Sequence, residues 1–282
     1  QAEDGIRDVE RSRGLGDVYK RQLMRIARSR CDKLVVSIYV NPLQFGPGED
    51  LESYPRTLDD DLSALRETGV DLVLTPRADD IYPDTSARLT AIRVPVLGDA
   101  LCGKDRPGHF DGVCTVVYKL FRLVGPDIAV FGEKDLQQLL IIKKMVADLN
   151  LPIDIQSRAT QRTEDGIALS SRNQYLSVSE RAVAPLLWHT LQSCAAALTA
   201  RRDCEPASII EPARETLEQA GFTVDYLELR EMSTLQLVDS GDQDCALFVA
   251  ARLGDTRLIA VSYTHLRAHE TSLHLVCRLL LE

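Results

Sequence analysis

"IAVFGEKDLQQLL", residues 128–140, decides the fold. Its first five residues are apolar or glycine with no alternation. That is the pattern of a strand buried on both faces, as in a parallel sheet. A helical run follows at once and is read over 135–149. Gly132, Glu133, Lys134, Asp135, Gln137 and Gln138 crowd the corner between them. In open parallel sheets, ligands bind beyond the carboxyl ends of the strands, and this corner is such a place. Gly132 lets a ligand approach the backbone. Lys134 is a compact cation suited to a phosphate or carboxylate. Asp135 is placed to cap the new helix, and the two glutamines set amides in its first turn. A helix cap beside a solvated charged turn accounts for the same residues equally well.

The same grammar extends outward. "LVVSIYVN" (34–41) is a second continuous β-branched run, followed by a helix at 58–69 and a strand at 70–76. "RLTAIRVP" (88–95) is a further strand candidate. A helix is read at 113–126 and a strand at 152–159. Alternating strands and helices predict an α/β fold with a doubly wound parallel sheet. Past residue 176 the style changes to two helices, 179–201 and 206–221. Strands at 223–230, 245–252 and 256–261 follow, which suggests a smaller α+β domain.

Composition narrows the function classes. Of 282 residues, 45% are hydrophobic and 27% charged, an ordinary globular balance. Asp+Glu (42) exceed Lys+Arg (33), giving a net charge of -9, which disfavours a nucleic-acid partner. No apolar run approaches the roughly 20 residues of a membrane span. The N-terminal stretch has no hydrophobic region of a secretory signal. Seven cysteines without a C-x-x-C read as reduced thiols, and the chain reads as cytoplasmic.

Three more segments carry polar clusters. "GIALSSRNQYLS" (166–177) offers hydroxyls, an arginine and an asparagine that can ring a phosphate, or make an ordinary capped loop. "YVNPLQFGPGEDLESYPRT" (39–57) follows a strand end, and its Asn41 and Gln44 suit a hydroxy acid. "RPGHFDG" (106–112) adds Arg106 and His109.

Together, "VNPLQFGPGEDLESYPRTLDDDL", "RPGHFDGV", "FGEKDLQQ" and "LSSRNQYLS" resemble the pantothenate synthetase family of ATP-dependent ligases over about residues 23–259. The resemblance implies a Rossmann-like nucleotidyltransferase domain at 23–176, a C-terminal domain at 177–259 and a homodimer. It implies that ATP meets Gly132, Glu133, Lys134 and Asp135, and Gln161 through its backbone. Leu169, Ser170, Ser171 and Arg172 would grip its phosphates, with Lys134, Ser170, Ser171 and Arg172 as the catalytic set. Gln44 and Gln138 would hold pantoate, with Asn41, Tyr54, Arg106 and His109 around the pantoate and β-alanine site. Asp60 and Asp61 match a pair associated with Mg²⁺; a solvated acidic helix start accounts for them equally. The implied reaction passes through a pantoyl adenylate and releases pyrophosphate, then AMP.

The chain also departs from the family. The family opens with a strand and a histidine-bearing phosphate loop, yet no histidine here precedes His109. Residues 1–22 and 260–282 resemble translated adapter sequence and are expected to add nothing to either domain. Impaired catalysis is therefore expected. The rival readings are a dead fragment keeping dimer contacts and part of the pocket, and another adenylylating enzyme of the superfamily. In the tail, His265 and His269 stand four apart with His274 and Cys277 downstream. That spacing fits a helical zinc pair, or a chance tail.

Overall fold

The computed structural model of the chain describes residues 24, 27–46, 49, 51–52, 58–83, 89–201, 204–238 and 244–263. Tyr54, the segment 1–22 and His265, His269, His274 and Cys277 lie outside them.

Two parallel strand pairs build the first part. β1 (Val35–Ser37) pairs with β2 (Leu72–Leu74), and α1 (Leu58–Glu67) lies between them in the chain. β3 (Ile128–Gly132) pairs with β4 (Asp154–Arg158), with α5 (Leu136–Asp148) as the crossover. Parallel strands need such a crossover because a tight turn cannot reverse the chain twice. β3 is apolar throughout because four of its five residues are buried. Leu34 and Val36 share one buried cluster with Ile128 and Val130, so β1 and β3 pack through side chains. Among the described residues no ladder joins the two pairs.

Two short helices, α2 (Ala78–Ile81) and α3 (Cys102–Asp105), precede α4 (His109–Val124). α4 buries Phe110, Val113, Cys114, Val117, Leu120 and Phe121, an i, i+3, i+4, i+7 stripe. Each such large side chain contributes roughly 1.5–3 kcal/mol when buried. The helix starts earlier than the pattern at 113–126 predicts, which brings His109 into its first turn.

Residues 89–95, within the expected strand 88–95, form no strand. The Ile92 N–H donates to the Thr115 hydroxyl on α4 at 3.0 Å instead of to a ladder. Pro95 has no N–H to donate. A β-rich stretch thus becomes a strap over a helix.

The remainder is helices on an antiparallel sheet. α6 (Val178–Val183) opens with a capping box between Ser177 and Glu180. α7 (Pro185–Ala200) and α8 (Ala207–Gln219) pack together against the sheet β5 (Phe222–Glu231), β6 (Cys245–Leu253) and β7 (Thr256–Tyr263). β7 continues to Tyr263, beyond the expected boundary at 259, because Tyr263 still pairs with Ala246. β6 is buried on both faces. Leu247, Val249 and Ala251 join the α7–α8 core, while Ala246, Phe248 and Ala250 join the core around α4 and α5.

Candidate active site

A cavity of about 1070 Å³ opens between the β3–α5 corner, the 162–175 segment and strands β5 to β7. Lys134, Asp135, Gln138, Arg106, His109, Ser170 and Arg172 line it. Glu133–Asp135 form a single 3₁₀ turn after β3, and that turn aims Lys134 inward. Among the described residues Lys134 keeps only a loose ion pair, 3.7 Å to Asp135. Asp135 occupies the cap position of α5, yet its side chain makes no capping bond. Glu133 does not line the cavity; it accepts from the Ser157 hydroxyl on β4 at 2.7 Å. Gly132 closes the β3 ladder opposite Arg158.

Gln137 corrects another expectation. Its amide is buried and spent inside the protein. It donates to Leu97 O (2.8 Å) and Ala100 O (2.7 Å) and accepts from the Cys102 N–H (3.1 Å). Gln137 therefore staples the 97–102 turn to α5 and reaches the large cavity only with its amide already bonded, while Gln138 lines both cavities.

A second, small cavity of about 10 Å³ adjoins α4. Tyr39, Asn41, Gln44 and Gln138 line it together with Val113, Val116, Val117 and Leu120. Gln138 thus stands on both cavities. Asn41 is fully engaged: its amide donates to Gly112 O (3.0 Å) and Gln44 Oε1 (3.2 Å), and its oxygen accepts from the Tyr82 hydroxyl (2.9 Å). The 42–44 turn sits so close to α4 that a Cβ on Gly112 would lie 2.3 Å from Leu43 O. Only glycine fits there.

Arg106 and His109 form one unit with Glu49. Arg106 grips the carboxylate in a fork, Nε to Oε1 at 2.6 Å and Nη2 to Oε2 at 2.5 Å. Such bidentate charged pairs are the strong ones. Burial would raise the Glu49 pKa, but the Arg106 bond and charge outweigh it and the net shift is downward. His109 Nδ1 lies 2.7 Å from Gln44 O, which only accepts, so Nδ1 carries the proton. Nε2 then accepts from Arg106 Nη1 at 3.1 Å. Burial, and next the Arg106 charge, push the His109 pKa down to about 4. The ring is neutral at pH 7 and serves as a strut for the Gln44 backbone.

The 161–169 segment is a small hairpin. Leu169 N–H donates to Gln161 O at 3.0 Å, and Arg162 bridges Ala168. Its turn needs Gly166, which sits at φ +98° with Trp188 packed where a side chain would go. The Arg162 guanidinium carbon lies over Trp188, 3.3 Å from the ring centroid. Burial alone lowers its pKa to about 10. The hairpin delivers Ser170, whose hydroxyl accepts from the Arg172 N–H at 3.3 Å and starts the 171–175 3₁₀ turn. Gln161, Leu169 and Ser171 flank the cavity in sequence without lining it.

Asp60 and Asp61 do not fit a metal site here. They are successive residues on α1, about 100° apart around the helix; Asp60 is exposed, Asp61 buried, and neither lines the cavity. Among the described residues no group of three or more His, Cys, Asp or Glu gathers as metal ligands.

Sequence reasoning missed several cavity residues. Trp188 lies in a helix of the second region, far from any motif. Asp225 is aimed by a β-bulge between Val224 and Tyr226, and it accepts from Arg257 at 2.7 Å. Glu49 lies inside a quoted motif but 57 residues from Arg106, so only the fold brings the two together.

Comparison with known proteins accords with this geometry. A family model described as pantoate-beta-alanine ligase matches residues 20–262. A pantothenate synthetase of Pseudomonas fluorescens is 51% identical over 237 residues, 84% of this chain and 82% of that protein. One from Pseudomonas aeruginosa is 50% identical over 244 residues, covering 86% of each. The crystal structure of the Thermus thermophilus pantothenate synthetase superposes with TM-score 0.81 at 40% identity, covering 87% of this chain and 88% of that one. A Francisella tularensis pantoate-beta-alanine ligase, complexed with beta-gamma ATP and beta-alanine, gives TM-score 0.72 at 32% identity over 86% and 84%. Matches this long in both sequence and fold define kinship, and the chain belongs to the pantoate–beta-alanine ligase family.

Proposed function

We propose that the chain binds ATP in the large cavity and pantoate in the small one, and condenses pantoate with β-alanine. The observation that carries this reading is Gln138, which lines both cavities and so sits where an acid and a nucleotide would meet. A pantoate carboxylate oxygen attacks the α-phosphorus of ATP; the new O–P bond forms as the bond to pyrophosphate breaks. The β-alanine amine then attacks the acyl carbon, loses a proton and expels AMP. Lys134, Ser170 and Arg172 stabilise the charge that moves onto the phosphates, with Ser171 joining them once the 171–175 turn shifts, Asp135 faces the nucleoside side with Gly132 behind it, and Gln161 and Leu169 hold the hairpin. Such catalysis is positioning and electrostatics, without a protein nucleophile. Gln44, Asn41, Arg106 and His109 shape the acid's pocket. The small cavity has room for about one water, so pantoate enters only when its walls part.

Mg²⁺ is proposed to travel with the ATP phosphates, as such ions usually do, and not on Asp60 and Asp61; no step above depends on it. A domain division near residue 176 and a homodimer belong to the same reading. Within these 282 residues no histidine precedes His109, so the histidine side of the charge stabilisation that the resemblance implies has no match here. Turnover by this polypeptide is expected to be slow, since one lost preorganised donor typically costs about 10²–10³ in rate. The test is quantitation of pantothenate and AMP from pantoate, β-alanine and ATP, beside the same chain with residues 1–22 replaced by a relative's N-terminal segment. Equal rates would remove the slow-turnover expectation. Absence of both products from both proteins would sink the ligase reading.

A further inference from the structure

The Tyr39 hydroxyl is buried and has no hydrogen-bond partner among the described residues. It lines the small cavity. Burial raises its pKa above the ordinary tyrosine value, so it is a neutral O–H at physiological pH. Its polar neighbours Asn41 and Tyr82 are already engaged with each other. A buried hydroxyl without a partner costs free energy until something supplies one. Among the described residues the cavity lining carries no charged side chain, and Val113, Val116, Val117 and Leu120 make it largely apolar. A carboxylate pushed among these groups would lack a counter-charge and be strongly disfavoured. The carboxylate end of a hydroxy acid therefore faces the larger cavity, past Gln138 toward Lys134 and Arg172. Its alcohol end goes inward, and its alkyl carbons meet the valines and leucine.

We propose that the Tyr39 hydroxyl is a specificity-determining group that hydrogen-bonds the hydroxyl of the acid remote from its carboxylate. This rests on the pantoate reading above. A site built to bond a substrate hydroxyl rejects the analogue that lacks it, because the buried protein group is then left unpaired.

The test is a two-by-two comparison of binding by calorimetry on the full chain. Wild type and Tyr39→Phe are each titrated with pantoate and with the analogue lacking its terminal hydroxyl. The wild type is expected to prefer pantoate by about tenfold or more. Tyr39→Phe should bind pantoate about tenfold more weakly while binding the deoxy analogue as the wild type does, so that discrimination disappears. Its unliganded melting temperature should be no lower, because the change removes an orphaned group. Equal weakening toward both acids would mean a packing role only and overturn the inference. So would unchanged pantoate affinity. If the wild type forms pantothenate while Tyr39→Phe still discriminates, this inference falls and the ligase reading stands. If the wild type does not bind pantoate, both fall.

Discussion

His109 is a histidine held neutral by its surroundings. Its folded pKa is depressed from 6.5 to about 4. Between those values the unfolded chain takes up a proton that the folded one refuses, so stability falls as pH drops from about 6.5 to about 4. Below about pH 4 both states are protonated and the loss is complete. His109→Asn should lack this contribution, and urea midpoints of variant and wild type should converge as the medium is acidified. A constant gap across that window would contradict the buried neutral ring. Lys134 is the residue for the opposite kind of test. Lys134→Met should weaken ATP binding about tenfold or more and pantoate binding to a smaller extent, as calorimetry with each ligand would reveal. At this scale residue types were legible and their bonds were not. Lys134 and Gln138 were readable at a strand end. Gln137 was not, since nothing in "QQ" says which amide turns inward. Tyr39 was missed because an aromatic in a β-branched run reads as core.

The hairpin 161–169 is the element where packing and chemistry meet. Its anchor is the Arg162–Trp188 stack, and Trp188 is the chain's single tryptophan. Arg162→Ala should therefore red-shift the intrinsic emission by opening the indole to water. It should also destabilise the fold by about 1 kcal/mol, the scale of a partly desolvated cation–π contact. Arg162→Lys should do less of both. An unchanged emission spectrum in the alanine variant would rule the stack out in solution. The Gly112 contact makes a second element-level claim. Gly112→Ala must displace the 42–44 turn, because its Cβ would meet backbone at 2.3 Å. Pantoate binding should suffer more than ATP binding, and parallel titrations would decide. Most elements could be read from periodicity, β3 with its bounds intact. The strap at 89–95 could not, because its sequence suits a strand while its Ile92 N–H goes to the Thr115 hydroxyl.

Across the whole molecule the alternation of strands and helices announced an α/β body, and the later helices and strands announced an antiparallel sheet. The sequence did not say how the two are joined. β6 reads as one continuous apolar run, and it is buried on both faces because each face serves a different core. Phe248 packs with the α4–α5 cluster although it lies in the later sheet. Phe248→Ala should thus cost about 3–5 kcal/mol. Chemical unfolding should remain a single transition with tryptophan and far-ultraviolet signals coincident. Two separated transitions would mean that the cores are independent. The shared strand also bears on the order in which the protein is made. A ribosome emits β3, α4 and α5 long before β6, so the nascent chain carries an unfinished apolar surface through much of its synthesis. Folding of the earlier part waits on the later, and chaperone demand should peak while β6 is still inside the exit tunnel.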